Sequence, residues 1–488
     1  MAVTVGCGGG GGSSPFLNHS SGNFSNASLK GSYVYQIFGA SSASGQPYRE
    51  VGVFTADGAG NITGGTDDSS VTMSANGTTI SGTYTVAGDG TGFINLNSSL
   101  GGISLAITAV SSSRIELIEN DALLNAVGVA ELQDSTATGS TPNGTFVFRL
   151  HQEASAQTST AEASQVGAFA LSGGAGSGAI DQNLGGTFTS PNLTTTFNAP
   201  HSGRGTASLL DTTAGFTTTL VYYIVNSGEL ALLVSNAAAV GSGGAEAQSG
   251  SVSGGLSGSY AFGSSGDDTF SIDGVAAVGQ FTANAGAISG TEDTMQDGNY
   301  TQNATLPSTC FTAGAADGIN GRVVATSGSG APCSGMATQI FWMVSPSRAF
   351  FIASDAGQFA EGTADSQTTS SFSASALNGQ FALVMGGLDR TPEQFGSDQL
   401  LSRVGTLRFD GSSKITLNEL ANASSSGGGG QSPGILAGSY AVSSNGRIVG
   451  NLNSHTLDLV MYAVSGSQNY VMQQNGGIVT SGTVELQQ

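Results

Sequence analysis

Along most of this chain, apolar and polar residues alternate one by one. In "ISGTYTV", Ile80, Gly82, Tyr84 and Val86 share one face while Ser81, Thr83 and Thr85 share the other, which is the period-two pattern of a half-buried strand. Such runs, bounded by Gly, Asn and Asp, recur about every 8 to 12 residues. No segment combines helical spacing with an N-cap and a C-terminal glycine. The first stretch reads as roughly eight strands: Gly31 to Gly39, Glu50 to Thr55, Asn61 to Thr66, Ser70 to Met73, Thr79 to Val86, Gly92 to Asn97, Ile103 to Val110 with Arg114 to Ile118, and Val127 to Gln133.

The pattern is repeated four times. "LKGSY", "PNGTF", "LSGSY" and "LNGQF" place Gly31, Gly144, Gly258 and Gly379 at spacings of 113, 114 and 121 residues. A second marker follows in each copy, at Val51, Val166, Val278 and Val404. A third begins at Val110, Val225, Val344 and Val464 with spacings of 115, 119 and 120. The copies close on "GVAELQ", "GGAEAQ", "AEGTADSQ" and "GTVELQ". Three markers at one period define a tandem array.

Consecutive hairpins predict a meander, and a meander of this length removes its edges by closing. The expected fold is therefore all-β: four tandem antiparallel domains of about 115 residues, each a roughly eight-stranded up-and-down barrel, with a two-sheet sandwich as the alternative. Boundaries fall in Gly, Ser and Thr-rich stretches. They give a leader and tether over 1–27, then repeats over 28–135, 140–250, 255–368 and 374–488. A unit of this size can fold alone, so the sequence predicts four beads on a string.

Composition narrows the function. Glycine occupies 76 positions and charged residues only 9%, so the polar surface is carried by Ser, Thr, Asn and Gln. The net charge is −21, from 33 acidic and 12 basic residues, and only Lys30 and Lys414 are lysines. Such a chain repels phosphate backbones and anionic bilayers, so nucleic acid is excluded as a partner. Membrane contact is expected only through a lipid anchor.

The N-terminal "MAVTVGCGGGGGSS" has an apolar run, a small residue, Cys7 and a Gly/Ser tether. It resembles the end of a bacterial lipoprotein signal peptide, which implies lipidation of Cys7; the alternative is a chance cysteine in a flexible leader. Cys310 and Cys333, 23 residues apart in one repeat, are expected to form a disulfide in an exported protein.

Candidate chemistry is sparse. "VGVFTADGAGNITGG" carries Asp57 and Asn61. The other copies put Ser172, Asn284 and Asp410 in place of Asp57, so the shared property is turn chemistry and not charge. A calcium loop needs more carboxylates at fixed alternate positions. "AGDGTG" at Ala87 to Gly92 reads the same way, and Asp267, Asp268 and Asp273 form the best remaining metal candidate, though a solvated loop is preferred. His19, His151, His201 and His455 share no position between copies and are expected to be exposed or partly packed. Glu131, Glu246 and Glu485 recur on the closing strand beside Arg114 and Arg348, with Glu229 and Gln468 in the arginine position of the other copies; cross-strand surface ion pairs are expected. Trp342, the single tryptophan, is expected in a core. No cofactor, metal ligand set or catalytic group is assigned.

The tether followed by "GSY … VGxFTADGxGxITG … SGTYTV … DGxG … SSSR … GxxELQ" units resembles uncharacterised tandem-repeat, Gly/Ser/Thr-rich surface lipoproteins of Gram-negative bacteria. That resemblance spans nearly the whole chain. It implies an exported, lipid-anchored location at the outer membrane or cell surface, with secretion as the alternative. The expected function is a structural or adhesion-type interaction protein without catalysis, whose partner is a surface glycan or protein. The alternative is a binding module whose barrels each hold a small apolar molecule or glycan, and an enzyme ranks third.

Overall fold

The computed structural model describes residue 16 and residues 22–488, except 43, 72–76, 100, 155–162, 237–238, 269–273, 317–319, 330–332, 334–335, 355–357, 392–398 and 424–429. Antiparallel strands build four closed barrels, one per repeat. In the first, β1 (Lys30–Ser41), β2 (Pro47–Asp57), β3 (Asn61–Ser69), β4 (Thr78–Val86), β5 (Thr91–Ser98), β6 (Gly101–Ala109), β7 (Arg114–Glu119) and β8 (Leu124–Leu132) follow one another around the wall, and β8 pairs with β1. The third barrel, from Gly258–Asp268 to Gln358–Ser366, and the fourth, from Asn378–Asp389 to Ile478–Leu486, share this eight-stranded order. The second, from Gly144–Ala154 to Ala239–Ala247, adds a three-residue strand, Thr187–Thr189, folded against its third strand. Its wall closes where Ala163–Ser172 pairs with both Gly144–Ala154 and Ala175–Leu184. Strand positions below ignore the short addition. Of the expected strand Ser70 to Met73, Ser70 and Val71 form a bend after β3, and Met73 lies outside the described residues.

Inward residues fill each barrel. Tyr33, Tyr35, Ile37, Phe54, Leu105 and Leu117 are among those of the first, and equivalent clusters occupy the other three. The repeated glycines serve this packing. Gly31, Gly144, Gly258 and Gly379 open their first strands at φ of 122°, 108°, 91° and 141°, a region that L side chains rarely adopt. A Cβ on Gly52 would stand 2.7 Å from the Tyr35 ring, and one on Gly279 would stand 2.5 Å from the Phe262 ring. The second-marker glycine thus makes room for the first-strand aromatic.

The repeats are not separate beads. Outward residues of the first barrel, Val34, Val51 and Val53, pack on Val221, Tyr223 and Leu233 of the second. Val166 and Ala168 of the second meet Ile340, Trp342 and Ile352 of the third. Ala261 and Val278 of the third meet Val460, Tyr462 and Met472 of the fourth. Val404 and Leu420 of the fourth meet Ala106, Ile118 and Val127 of the first.

At every seam the outer faces of the first strands of one barrel, its leading face, press on the sixth to eighth strands of the next, its receiving face. Four repetitions of this head-to-tail contact return to the start, so the chain forms a closed ring. A closed barrel has no free edge, so the seams are made largely by side chains and the four sheets stay distinct. Each fully buried Val or Leu contributes roughly 1.5–3 kcal/mol, which makes docking favourable without added ladder bonds.

Candidate functional site: the seams and the barrel interiors

Three of the four seams centre on a buried aspartate donated by the leading face. Asp68, Asp181 and Asp293 each lie opposite the second-marker valine in the ladder: Val51, Val166 and Val278. Across the first seam, Asp68 accepts from Arg204 Nε at 2.6 Å, Arg204 Nη2 at 2.8 Å and Tyr223 OH at 2.6 Å. Asp181 accepts from Arg322 Nε at 2.6 Å, Arg322 Nη2 at 2.7 Å and Trp342 Nε1 at 2.8 Å. Asp293 accepts from Arg447 Nε and Nη2, both at 2.7 Å, and from Tyr462 OH at 2.7 Å. A bidentate guanidinium plus a third donor meets the needs of a carboxylate taken out of water. Burial alone would raise the Asp293 pKa, but bonds from Arg447, Tyr300 and Tyr462 hold it below the usual carboxylate value. Trp342 therefore sits outside its barrel's core, buried in a seam.

The closing glutamine of each repeat reaches the next barrel. The Nε2 groups of Gln133, Gln248, Gln367 and Gln487 donate to the carbonyls of Ile224, Met343, Ala463 and Ala109 at 2.8, 2.8, 2.8 and 2.7 Å. The following backbone amide repeats the crossing, from Asp134, Ser249, Thr368 and Gln488 to the carbonyls of Val225, Val344, Val464 and Val110. The fourth seam obeys the same rule as the three that the chain connects covalently.

The recurrent glutamates and arginines also lie on the seams. Arg114 pairs with Glu131 in its own barrel at 2.7 Å and with Glu485 of the fourth barrel at 3.1 Å. Arg348 pairs with Asp365 in its own barrel and with Glu246 of the second, both at 2.9 Å. The expected cross-strand pairs are present, Arg114 opposite Glu131 and Arg348 opposite Asp365 in their ladders, and each arginine also bridges to a carboxylate of the neighbouring barrel. Where the arginine position holds Glu229, three carboxyls meet. Burial, then Glu131 and Glu246, push its pKa up to about 8. His151 is likewise a seam residue, with Nδ1 at 3.3 Å from Glu361 of the third barrel. Burial would lower its pKa, but Glu361 outweighs this and raises it to about 9.

The interiors of the first, second and fourth barrels carry a polar layer toward the end away from the linkers. In the first barrel, Tyr35 and Tyr48 donate to Glu50, and burial with the neighbouring Glu50 raises Asp67 to about 9. The second uses an amide ladder, Gln152 to Gln165 at 2.9 Å and Gln165 to Gln182 at 3.0 Å. The fourth pairs Arg403 with Glu419 at 2.7 Å. Beside the amide ladder lies a cavity of about 10 Å³, bounded by Leu193, Leu209 and Asp211, room for about one water. A larger cleft of about 290 Å³ lies at the base of the second barrel, between its preceding linker (Asp134, Ala137, Pro142) and Ile224, Asn226 and Leu230.

The remaining sequence candidates are placed as follows. Asp57 Oδ1 accepts from the amides of Ala59 at 2.6 Å and Asn61 at 3.0 Å, and Oδ2 from Asn61 Nδ2 at 2.7 Å. Those bonds lower its pKa to about 2; its carboxylate holds the turn. Asp410 does the same for Ser412, Ser413 and Lys414. Asp89 binds Thr91 within its loop, and its backbone carbonyl accepts from Gln380 at 3.0 Å and Gln487 at 2.9 Å across the closing seam. Asp267 and Asp268 end the first strand of the third barrel, while Asp273 lies outside the described residues. Cys310 and Cys333 are joined by a disulfide with Cα atoms 5.1 Å apart. Cys7 and His19 fall outside the described residues. His201 is exposed, and the exposed His455 pairs with Asp458 at 2.9 Å.

Among the described residues no group of His, Cys, Asp or Glu is arranged to hold a metal ion, and no helix is long and apolar enough to cross a membrane. No protein-family model matches the chain, and no curated protein matches it. The three aspartate centres went unread in the sequence. Their signal was a fourth marker, Gly-Arg at 203–204, 321–322 and 446–447, with Gly90-Thr91 in its place in the first copy.

Proposed function

We propose that this chain is an exported, non-catalytic surface protein, tethered through a lipid on Cys7, whose ring of barrels serves as a rigid platform for adhesion or interaction. One observation carries the reading: the described barrel interiors are packed with Tyr, Phe, Leu and Ile, and the cavity beside the amide ladder of the second barrel is about 10 Å³, far below the few hundred Å³ of a ligand site. Contact with partners then falls to the outer wall away from the seams, where exposed hydroxyls and amides such as Asn192, Thr194 and Thr196 alternate with buried residues. Such a surface, poor in charge and rich in hydrogen-bonding groups, suits hydrated glycan or protein surfaces. The test is metabolic labelling with a fatty-acid analogue, followed by binding of the purified ring to a glycan array and to whole cells. Label lost in Cys7→Ser together with saturable cell or glycan binding supports the reading. Absence of both overturns it.

The cleft of about 290 Å³ under the second barrel favours a second reading as a small-molecule binder, because Ile224, Leu230, Ala137 and Pro142 offer an apolar wall edged by Asp134 and Asn226. Calorimetric titration with simple sugars, against Leu230→Trp to fill the cleft, distinguishes the two.

A further inference from the structure

The ladder registers allow the four seams to be compared position by position, and the closing seam differs at three positions at once. The aspartate opposite the second-marker valine is replaced by Leu420, which stands opposite Val404. Thr91 takes the place of Arg204, Arg322 and Arg447, and Thr108, its ladder partner, takes the place of Tyr223, Trp342 and Tyr462. In the other three seams the aspartate bonds both the arginine and the aromatic across the contact, so the three changes match.

The closing seam also takes in a residue from outside the barrels. Phe16, ahead of the first barrel, is 3% exposed and packs with Leu420, Val404, Ala106 and Ile118. Its ring lies 5.8 Å from that of Phe93. The Thr108 hydroxyl is buried with no hydrogen-bond partner among the described residues, which fits a position that has yielded its polar role.

We infer that these substitutions form a closure code: the leading face of the fourth barrel fits only the receiving face of the first, so the ring closes at four barrels and not at three. The alternatives fail on electrostatics. Closing the third barrel onto the first would bury Asp293 against Thr91 and Thr108, with no guanidinium to meet it. Closing the fourth onto the second would bury Arg204 against Leu420. Either leaves an unpaired buried charge, which is strongly unfavourable, and specificity of this kind comes from what the wrong partner buries. Phe16 completes the apolar centre.

The test uses the full chain and two backbone amides as reporters in hydrogen exchange. The Gln488 amide bonds across the closing seam to Val110, and the Thr368 amide makes the equivalent bond between the third and fourth barrels. In Leu420→Asp the Gln488 amide is expected to exchange at least tenfold faster while Thr368 keeps its rate. Adding Thr91→Arg to Leu420→Asp is expected to restore most of the protection. Thr91→Arg alone, a second route to an unpaired charge in case the aspartate variant folds poorly, is expected to accelerate Gln488 in the same selective way. The inference is overturned if neither single variant accelerates Gln488, if both amides accelerate together in both variants, or if the paired variant is as open as the singles.

Discussion

Gln487 Nε2 donates to the carbonyl of Ala109 at 2.7 Å, joining the last residues of the chain to the first barrel. The same bond links Gln133 to Ile224 between the first two barrels at 2.8 Å, so the closing seam is built like its covalently connected counterparts. Gln487→Ala strips a donor from Ala109 and Asp89 together and is predicted to cost about 1–3 kcal/mol. Urea unfolding of the variant checks this, with the loss appearing as an earlier transition.

Asp293 gathers Arg447, Tyr462 and Tyr300 at one buried carboxylate. Asp293→Ala leaves a largely buried guanidinium without its anion, and the expected loss is about 3–5 kcal/mol. Replacing the charge pair as a whole with Asp293→Leu and Arg447→Met should recover much of that loss, because apolar side chains satisfy one another. Thermal unfolding of the two variants gives the comparison.

Stability is predicted to fall as pH rises from 6 to 9.5. Glu229 titrates at about 8 in the folded ring against roughly 4.3 in an unfolded chain. Its proton therefore stabilises the fold at low pH, and the effect fades up to about 8. His151 has its pKa raised to about 9 from an ordinary value near 6.5, so its contribution is full below that value and disappears as pH passes about 9. Melting temperatures across this range should decline, and Glu229→Gln should flatten the part below about pH 8.

Glu229→Arg restores the residue that the first and third barrels place there, Arg114 and Arg348. It would face Glu131 and Glu246, and the expected gain is roughly 1 kcal/mol, or about 1 °C in melting temperature if the ring unfolds as one unit. Differential scanning calorimetry reads it directly.

Reducing the Cys310–Cys333 bond opens a loop of 23 residues. Loop-closure entropy predicts a loss of about 3 kcal/mol, confined to the third barrel. Hydrogen exchange with and without a reductant that reaches the buried bond locates it.

Much of the barrel was legible because alternation fixes which residues face inward, and four copies multiply the signal. "ISGTYTV" and the positive-φ glycines Gly31, Gly144, Gly258 and Gly379 carry the unit almost by themselves. The docking of units was not read, although the sequence held its trace. Runs such as "TLVYYIV" at Thr219 to Val225 and "IFWMV" at Ile340 to Val344 are apolar at consecutive positions, and a strand apolar on both faces is covered on both faces. Tyr223 and Trp342 are the central outward members of those runs, flanked by Val221 and Val225 and by Ile340 and Val344. In the sequence Arg114 and Glu131 read as ladder neighbours, which they are, and a surface pair follows from that alone. Only the ring brings Glu485 to the same guanidinium, and a partner 371 residues away has no local signature.

Small-angle X-ray scattering of the monomer tests the ring most directly. Compact scaling for this length gives a radius of gyration of about 23 Å, and the closed ring predicts a single compact particle within a few ångströms of that value, unchanged by moderate salt. A radius well above 30 Å, with a distance distribution stretched over several barrel widths, would contradict it and return the chain to four beads on a string.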